Sequence, residues 1–345
     1  MKNQEFNYHT HTSLCGHADG EIDEYVQKAI EGGIKQLGFS DHTPNVLGKS
    51  DKNHEMSMQQ FEQIYIPKLK EIKEKYAKKI DIKIGIEAEY FGDIGERHPL
   101  VKDFREKTEP KLEYMILGQH SALKRDENGD IKMPPHSADP KAADYPIDYA
   151  LTVVEAIKSR KFAYVAHPDI FMEKRELVLS QDKALYEKNV KKATEMICET
   201  AREYDIPLEI NLGSISAIEA GAKQALRDGS YAYPVPDFWR IAQEKGCKVL
   251  IGVDAHSPNA LMEKKNEEIA KRLIESSGIE LNYLENFEPK GIGHEGKEPE
   301  KTRKENNILF SAIEAGEGMV KSRDIKEQEK NIERYMEKSK NIGEI

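Results

Sequence analysis

The run Val249-Leu250-Ile251-Gly252-Val253-Asp254-Ala255-His256 decides how the chain is read. Five uncharged residues, mostly branched aliphatics, suit a strand covered on both faces, and such strands belong to parallel sheets flanked by helices. The run then stops at a carboxylate and an imidazole. The same phrase recurs upstream. Phe6 and Tyr8 lead into His9 and His11, and Gln36-Leu37-Gly38-Phe39 leads into Ser40-Asp41-His42. Ile82 to Ile86 ends at Glu87, Tyr114 to Leu117 at Gly118-Gln119-His120, Phe162 to Ala166 at His167-Pro168-Asp169, and Pro207 to Ile210 at Asn211.

Most of these runs are separated by amphipathic segments of helical period. Ile22, Tyr25, Val26, Ala29 and Ile30 share one helical face closed by Gly32-Gly33. Phe61, Ile64, Tyr65, Leu69, Ile72 and Tyr76 predict a long helix, which Pro67 is expected to kink or split. The alternation predicts an α/β fold built on a parallel sheet. Ligand-type residues at successive strand ends favour a distorted seven-stranded (β/α)7 TIM-like barrel, whose strand-to-helix loops converge on one pocket. An open doubly wound sheet is the runner-up, because its crevice gathers residues from fewer strands.

The barrel is expected to occupy residues 1–287. Residues 288–345 read as a linker followed by a charge-rich helical extension, with a short helix over Asn307 to Ala315 stopped by Gly316 and Gly318. Lys321 to Lys340 carries Lys330–Glu333 and Arg334–Glu337 pairs, as a solvated helix would. Docking on the barrel, pairing with another subunit as a homo-oligomer, and free motion all stay open for it.

Composition narrows the partners. The chain has 345 residues, 38% of them hydrophobic and 33% charged, so it holds a core under a heavily solvated surface. A net charge of −10 argues against non-specific nucleic-acid binding, which wants a basic footprint. No apolar stretch is long enough to span a bilayer, and the start lacks the apolar core of a signal peptide. Cys15, Cys198 and Cys247 are odd in number and far apart, which fits a reducing cytoplasm. Cys15 lies among ligand candidates and could bind a soft metal, although a small buried thiol is the plainer reading.

The strand-end set comprises His9, His11, His17, His42, Glu87, His120, His167, Asp254 and His256. On an extended chain His9 and His11 point to the same side while Thr10 faces away. Seven imidazoles and two carboxylates exceed what one ion needs, so two or three divalent ions sharing a bridging carboxylate are expected, of the zinc, manganese or iron type. Glu89 would face the same side as Glu87 and competes for the bridging role. Asp41 and Asp169 read as acceptors that orient ligands, as proton carriers or as helix N-caps. His54, His98, His136 and His294 match no motif and read as surface or loop residues.

His-Thr-His at 9–11, Cys-Gly-His-Ala around His17, Phe-Ser-Asp-His ending at His42 and Gly-Ile-Glu-Ala-Glu around Glu87 resemble the polymerase and histidinol phosphatase (PHP) family. So do Gly-Gln-His-Ser around His120, Ala-His-Pro-Asp around His167, and Gly-Val-Asp-Ala-His-Ser-Pro with Asp254 and His256. The resemblance covers about residues 5–275 and is strongest to the histidinol-phosphatase branch. It implies the distorted barrel and a trinuclear site. One metal would take His9, His11, Glu87 and Asp254, a second Glu87, His120 and His167, and a third His17, His42 and His256. Asp41, His42, Glu87 and Asp254 would then be catalytic.

The implied reaction is hydrolysis of a small phosphomonoester, L-histidinol phosphate to L-histidinol and phosphate in histidine biosynthesis. A hydroxide bridging the ions would attack phosphorus in line without a phosphoenzyme. Asp41, His42 or a metal-bound water could protonate the leaving group. Lys174, Arg175 and Arg227 are the candidates for holding phosphate. The stretch Leu212 to Ser216 departs from the family pattern, with no basic residue before Lys223 and Arg227. Nucleotide or sugar phosphates are therefore the alternative substrates. A non-catalytic metal module would require missing ligands, a nuclease sits poorly with the acidic charge, and an amidohydrolase would want a strand-end lysine.

Overall fold

The computed structural model describes residues 4–44, 56–91, 105–126, 131, 137–179 and 181–292. Of the linker and extension expected over 288–345, residues 293–345 with both expected helices lie outside the described residues, as do His54, His98, His136 and His294. Strands β1 (Phe6–Asn7), β2 (Gln36–Phe39), β3 (Asp81–Ala88) and β4 (Tyr114–Leu117) form a parallel four-stranded sheet in that order. Strands β5 (Leu208–Asn211), β6 (Lys248–Gly252) and β7 (Asn282–Tyr283) form a parallel three-stranded sheet.

Regular pairing thus divides into two curled sheets rather than one run of seven strands. The expected strand at 162–166 is reduced to single bridges, Val165 pairing with both Leu117 and Leu208. Its backbone is nevertheless bonded on both sides, Ala166 N–H donating to Leu117 O at 2.9 Å and Val165 N–H to Pro207 O at 3.0 Å. Beyond β1, Thr10 bridges Ala255 just after β6. Strand β7, only two residues long, carries no periodic signal and was not expected.

The connecting helices are α1 (Ile22–Glu31), α2 (Ile66–Tyr76), α3 (Tyr145–Lys158), α4 (Lys183–Glu203), α5 (Gly213–Glu219), α6 (Pro236–Lys245) and α7 (Lys264–Glu275). Helix α1 buries the expected stripe of Ile22, Tyr25, Val26 and Ala29, and the Glu24 carboxylate accepts the Glu21 N–H at 2.9 Å. Pro67 splits the helix, as expected, through a change of helical type. It sits in the first turn of α2, directly after a π-helical stretch at Phe61–Tyr65. Ile66 N–H reaches back to Phe61 O, so the widened turn absorbs the disruption that a proline brings. Among the described residues no helix is long and apolar enough to cross a membrane.

Strand alternation sorts side chains into two environments. Ile82, Ile84 and Ile86, Leu208 and Ile210, and Val249 and Ile251 join the core packed against the helices. The opposite faces supply a second cluster of Phe6, Tyr8, Tyr114, Ile116, Ala163, Tyr164, Ala166 and Leu250, with Phe287 packed against it. The Tyr114 hydroxyl donates to Tyr8 O at 2.8 Å, and the Tyr8 hydroxyl to Phe287 O at 2.8 Å. This aromatic plug closes the hollow below the strand ends. Each such ring contributes about 1.5–3 kcal/mol of burial, enough to hold the strands in register without regular ladders everywhere.

Candidate metal centre

All nine strand-end candidates converge above the plug. His11 N–H donates to Ala255 O at 2.9 Å and Ala255 N–H to His9 O at 3.2 Å, which keeps 9–11 extended beside Asp254 and His256. The His9 and His11 rings therefore project together, 5.3 Å apart. Glu87, at the end of β3 and 2% exposed, is the centre of the group. Its Oε1 lies 2.8 Å from His167 Nε2, 3.6 Å from His9 Nε2 and 3.7 Å from His120 Nε2. Its Oε2 lies 3.0 Å from His42 Nδ1 and 3.4 Å from His11 Nε2. Asp254 Oδ1 lies 3.2 Å from His11 Nε2 and 3.4 Å from His9 Nε2.

These atoms fit divalent cations. His9 Nε2, Glu87 Oε2 and Asp254 Oδ1 are buried yet sit in no hydrogen-bond geometry, a costly state for polar atoms with nothing to bind. Ligands at about 2.0–2.2 Å around a tetrahedral ion stand roughly 3.4 Å from one another, the spacing seen across His9, His11, Glu87 and Asp254. Side-chain atoms of His42, Glu87 and His120 also cluster within ligand range, as do those of His11, His42 and His256. At the rim His17 Nε2 faces His256 Nε2 at 3.0 Å. Two of the centre's residues occupy the left-handed backbone region, His167 at φ 31° and Asp254 at φ 52°. Each costs about 1–3 kcal/mol, a strain that persists where surrounding structure holds a functional side chain in place.

Charge is balanced inside the hollow. Burial alone would raise the Glu87 carboxyl, but His9, His42, His120 and His167 outweigh it and hold it well below the usual carboxylate range. Asp254 is likewise held low, against its burial, by His9, His256 and His11. Burial and the neighbouring His11 and His17 push His256 down to about 4, against the pull of Asp254, so its ring is neutral and able to ligate. His120 loses to burial but gains more from Glu87 and Glu89, and rises to about 9.

A layer of acceptors fixes the rings from behind. Glu209, fully buried on β5, was not anticipated from the sequence. Its Oε1 lies 3.0 Å from His9 Nδ1, and Asn211 Nδ2 donates to the same oxygen at 2.7 Å. The available signal was a lone acid inside the apolar run Pro207 to Ile210. Gly252 makes the room, since a Cβ there would lie 2.1 Å from the Glu209 carboxylate. Asp41 is buried behind His11, its Oδ1 3.5 Å from His11 Nδ1. It accepts the Thr12 hydroxyl, the Thr12 N–H at 3.1 Å and the His42 N–H at 3.1 Å, an orienting position away from solvent. Glu89 stands 3.2 Å from His120 Nδ1, outside the central position held by Glu87. Asp169 faces away, accepting Val235 N–H at 2.7 Å and Trp239 Nε1–H at 3.1 Å.

The sequence matches the PHP domain over residues 7–213, more than half of the chain. The chain belongs to the PHP family. It is 26% identical over 251 residues to a protein of Deinococcus radiodurans named "Probable histidinol-phosphatase", covering 72% of this chain and 85% of that one. A Schizosaccharomyces pombe protein of the same name is 24% identical, covering 83% and 90%. Among solved structures, histidinol phosphate phosphatase from Lactococcus lactis, complexed with zinc, L-histidinol and phosphate, aligns with TM-score 0.53 at 16% identity, covering 84% of this chain and 98% of that one.

The basic residues expected to hold phosphate are less centrally placed in this PHP chain. The Arg175 guanidinium donates to Met172 O, Ala232 O and Tyr231 O at 3.0–3.1 Å and to the Ser230 hydroxyl at 2.8 Å. It therefore clasps the loop before α6. Lys174 Nζ lies 3.4 Å from Glu173 Oε1, and the Arg227 backbone N–H donates to Glu176 at 2.8 Å. Tyr233, on the loop that Arg175 holds, packs its ring 6.3 Å from that of His167.

Proposed function

We propose that this PHP chain is a metal-dependent phosphomonoester hydrolase that converts L-histidinol phosphate to L-histidinol and phosphate. The observation that carries the reading is the convergence of seven imidazoles and two carboxylates on one hollow, with buried ligand atoms lacking hydrogen-bond partners. The names of the Deinococcus and fission-yeast relatives and the ligands of the Lactococcus structure support the choice of substrate.

Two or three divalent ions, zinc, manganese or iron, are the implied cofactors. His9, His11, Glu87 and Asp254 would hold one, Glu87, His120 and His167 a second, and His17, His42 and His256 a third. When bound, such ions lower the pKa of water to about 7 and neutralise charge on a phosphoryl group. The chain's own residues fix that arrangement. Glu87 faces both the His9–His11 and the His120–His167 sides, Glu209 and Asp41 keep the His9 and His11 rings turned inward, and the aromatic plug excludes water from below. His42 is read as the side chain that would meet the leaving oxygen, with Asp41 behind it as the alternative proton carrier.

Strands β1 to β6, with the bridged segment 162–166 between β4 and β5, are read as the seven staves of a distorted barrel over residues 1–287. The bridges Leu117–Val165, Val165–Leu208 and Thr10–Ala255 support closure, and the seat of Phe287 against Phe6, Tyr8 and Tyr164 supports the boundary. A cytoplasmic setting fits three buried free cysteines. Engagement of Arg175 by the loop favours a second reading, a related phosphatase of sugar or nucleotide phosphates. Phosphate release by the metal-loaded protein from histidinol phosphate and from a panel of other phosphomonoesters tests both. Fastest turnover of histidinol phosphate is expected. Turnover of other esters with none of histidinol phosphate selects the second reading, and no turnover of any ester overturns both.

A further inference from the structure

Cys15 stands apart from the other two cysteines. Cys247 Sγ donates to Cys198 O at 3.3 Å, so those thiols belong to the packing between helix and strand. Cys15 instead closes the 3-10 turn Ser13–Cys15, 1% exposed, and that turn folds the thiol back towards the histidines. Gly16, in the left-handed region at φ 77°, reverses the chain so that His17 follows on the same side. The sulfur and ring nitrogens of His17 and His256 all lie within 4.8 Å of one another.

The two rings supply an independent reason to place a cation there. His17 Nδ1 lies 3.0 Å from Cys15 O, and His256 Nδ1 lies 3.0 Å from Asp254 O. A neutral imidazole facing a carbonyl oxygen carries its hydrogen on that nitrogen, so both Nε2 atoms present lone pairs. They meet 3.0 Å apart, beside the Cys15 thiol that hydrogen-bonds the His17 ring. A shared cation turns that opposition into two bonds, and a third donor on the buried side would complete the cage.

We propose that Cys15 is that donor: its sulfur joins His17 Nε2 and His256 Nε2 as a ligand of the cation at the rim. Binding exchanges the thiol hydrogen for the metal, the proton passing to solvent as the sulfur–metal bond forms. A thiolate among imidazoles selects zinc or another soft ion over manganese or magnesium. The inference rests on reading the histidine cluster as a metal centre and adds a ligand and a selectivity to it.

The test uses the full chain, stripped of metal by a chelator and titrated with cobalt(II) alone. A near-ultraviolet sulfur-to-cobalt charge-transfer band is expected to grow with saturation, and Cys15→Ser should abolish it and weaken the last-bound ion at least about tenfold. Cobalt uptake without the band, or an unchanged band in Cys15→Ser, overturns the assignment and leaves the metal centre standing. No uptake at all overturns both. X-ray absorption of the zinc-loaded wild type decides the matter without a variant: a sulfur neighbour at about 2.3 Å supports it, and a shell of nitrogen and oxygen alone overturns it.

Discussion

Glu209 grips His9 from the side opposite the hollow, with Oε1 3.0 Å and Oε2 3.2 Å from Nδ1. That bond fixes the tautomer and leaves Nε2 facing Glu87 and Asp254. Removing the carboxylate as Glu209→Ala should lower metal affinity or activity about 10–100-fold, the usual effect of losing a group that orients a ligand. Gly252→Ala should act through the same bond by pushing Glu209 aside. Metal content and turnover are the measurements, with circular dichroism to show that the fold persists. Full metal content in both variants would refute the positioning role.

Glu87 touches both halves of the centre, so it should link metal binding to stability. Zinc added to stripped protein at 100 times Kd is expected to stabilise it by about 2.7 kcal/mol. Glu87→Gln, which keeps the packing but loses the charge, should lose most of that response and nearly all phosphatase activity. Thermal melts with and without zinc check it, and an undiminished shift in the variant would remove Glu87 from the centre.

Arg175 separates two roles that the sequence leaves together. Three loop oxygens and Met172 O accept from its guanidinium, so Arg175→Ala should destabilise the chain by about 2–4 kcal/mol through lost charge-assisted bonds. A lower Tm accompanied by little change in KM is expected. A raised KM at unchanged Tm would instead make it a substrate contact.

Asp148, in the first turn of α3, gives a pH dependence of stability. Burial and Asp144 raise its carboxyl from 3.8 to about 6, against Arg125. The fold thus favours the protonated acid, whose contribution is complete below 3.8 and fades as pH rises through 6. Asp148→Asn should match the parent near pH 4 and exceed it increasingly towards pH 7, by up to about 1 kcal/mol after solvent screening. Melts across that range check the sign, which a narrowing margin would reverse.

Much of this was legible in the residues themselves. Six of the expected strands form as strands, because their apolar runs end where His, Asp, Glu or Asn begins. The convergence of the nine candidates was readable because all but His17 punctuate such a run. Glu209 was not, since one acid within a strand looks the same in sequence whether it meets solvent or a buried imidazole. At 162–166 only single bridges form on either side, a matter of register between distant strands that local pattern does not encode. Pro67 was legible as an interruption, because its ring disrupts the turn before it and the chain widened that turn.

The packed rings of Tyr8, Tyr114, Tyr164 and Phe287 stop the far end of the hollow. Among the described residues the group meets solvent beside His17, His120 and His256. An ester arriving there and the fragments left after its cleavage would share that side, so a lingering anion would delay the next arrival.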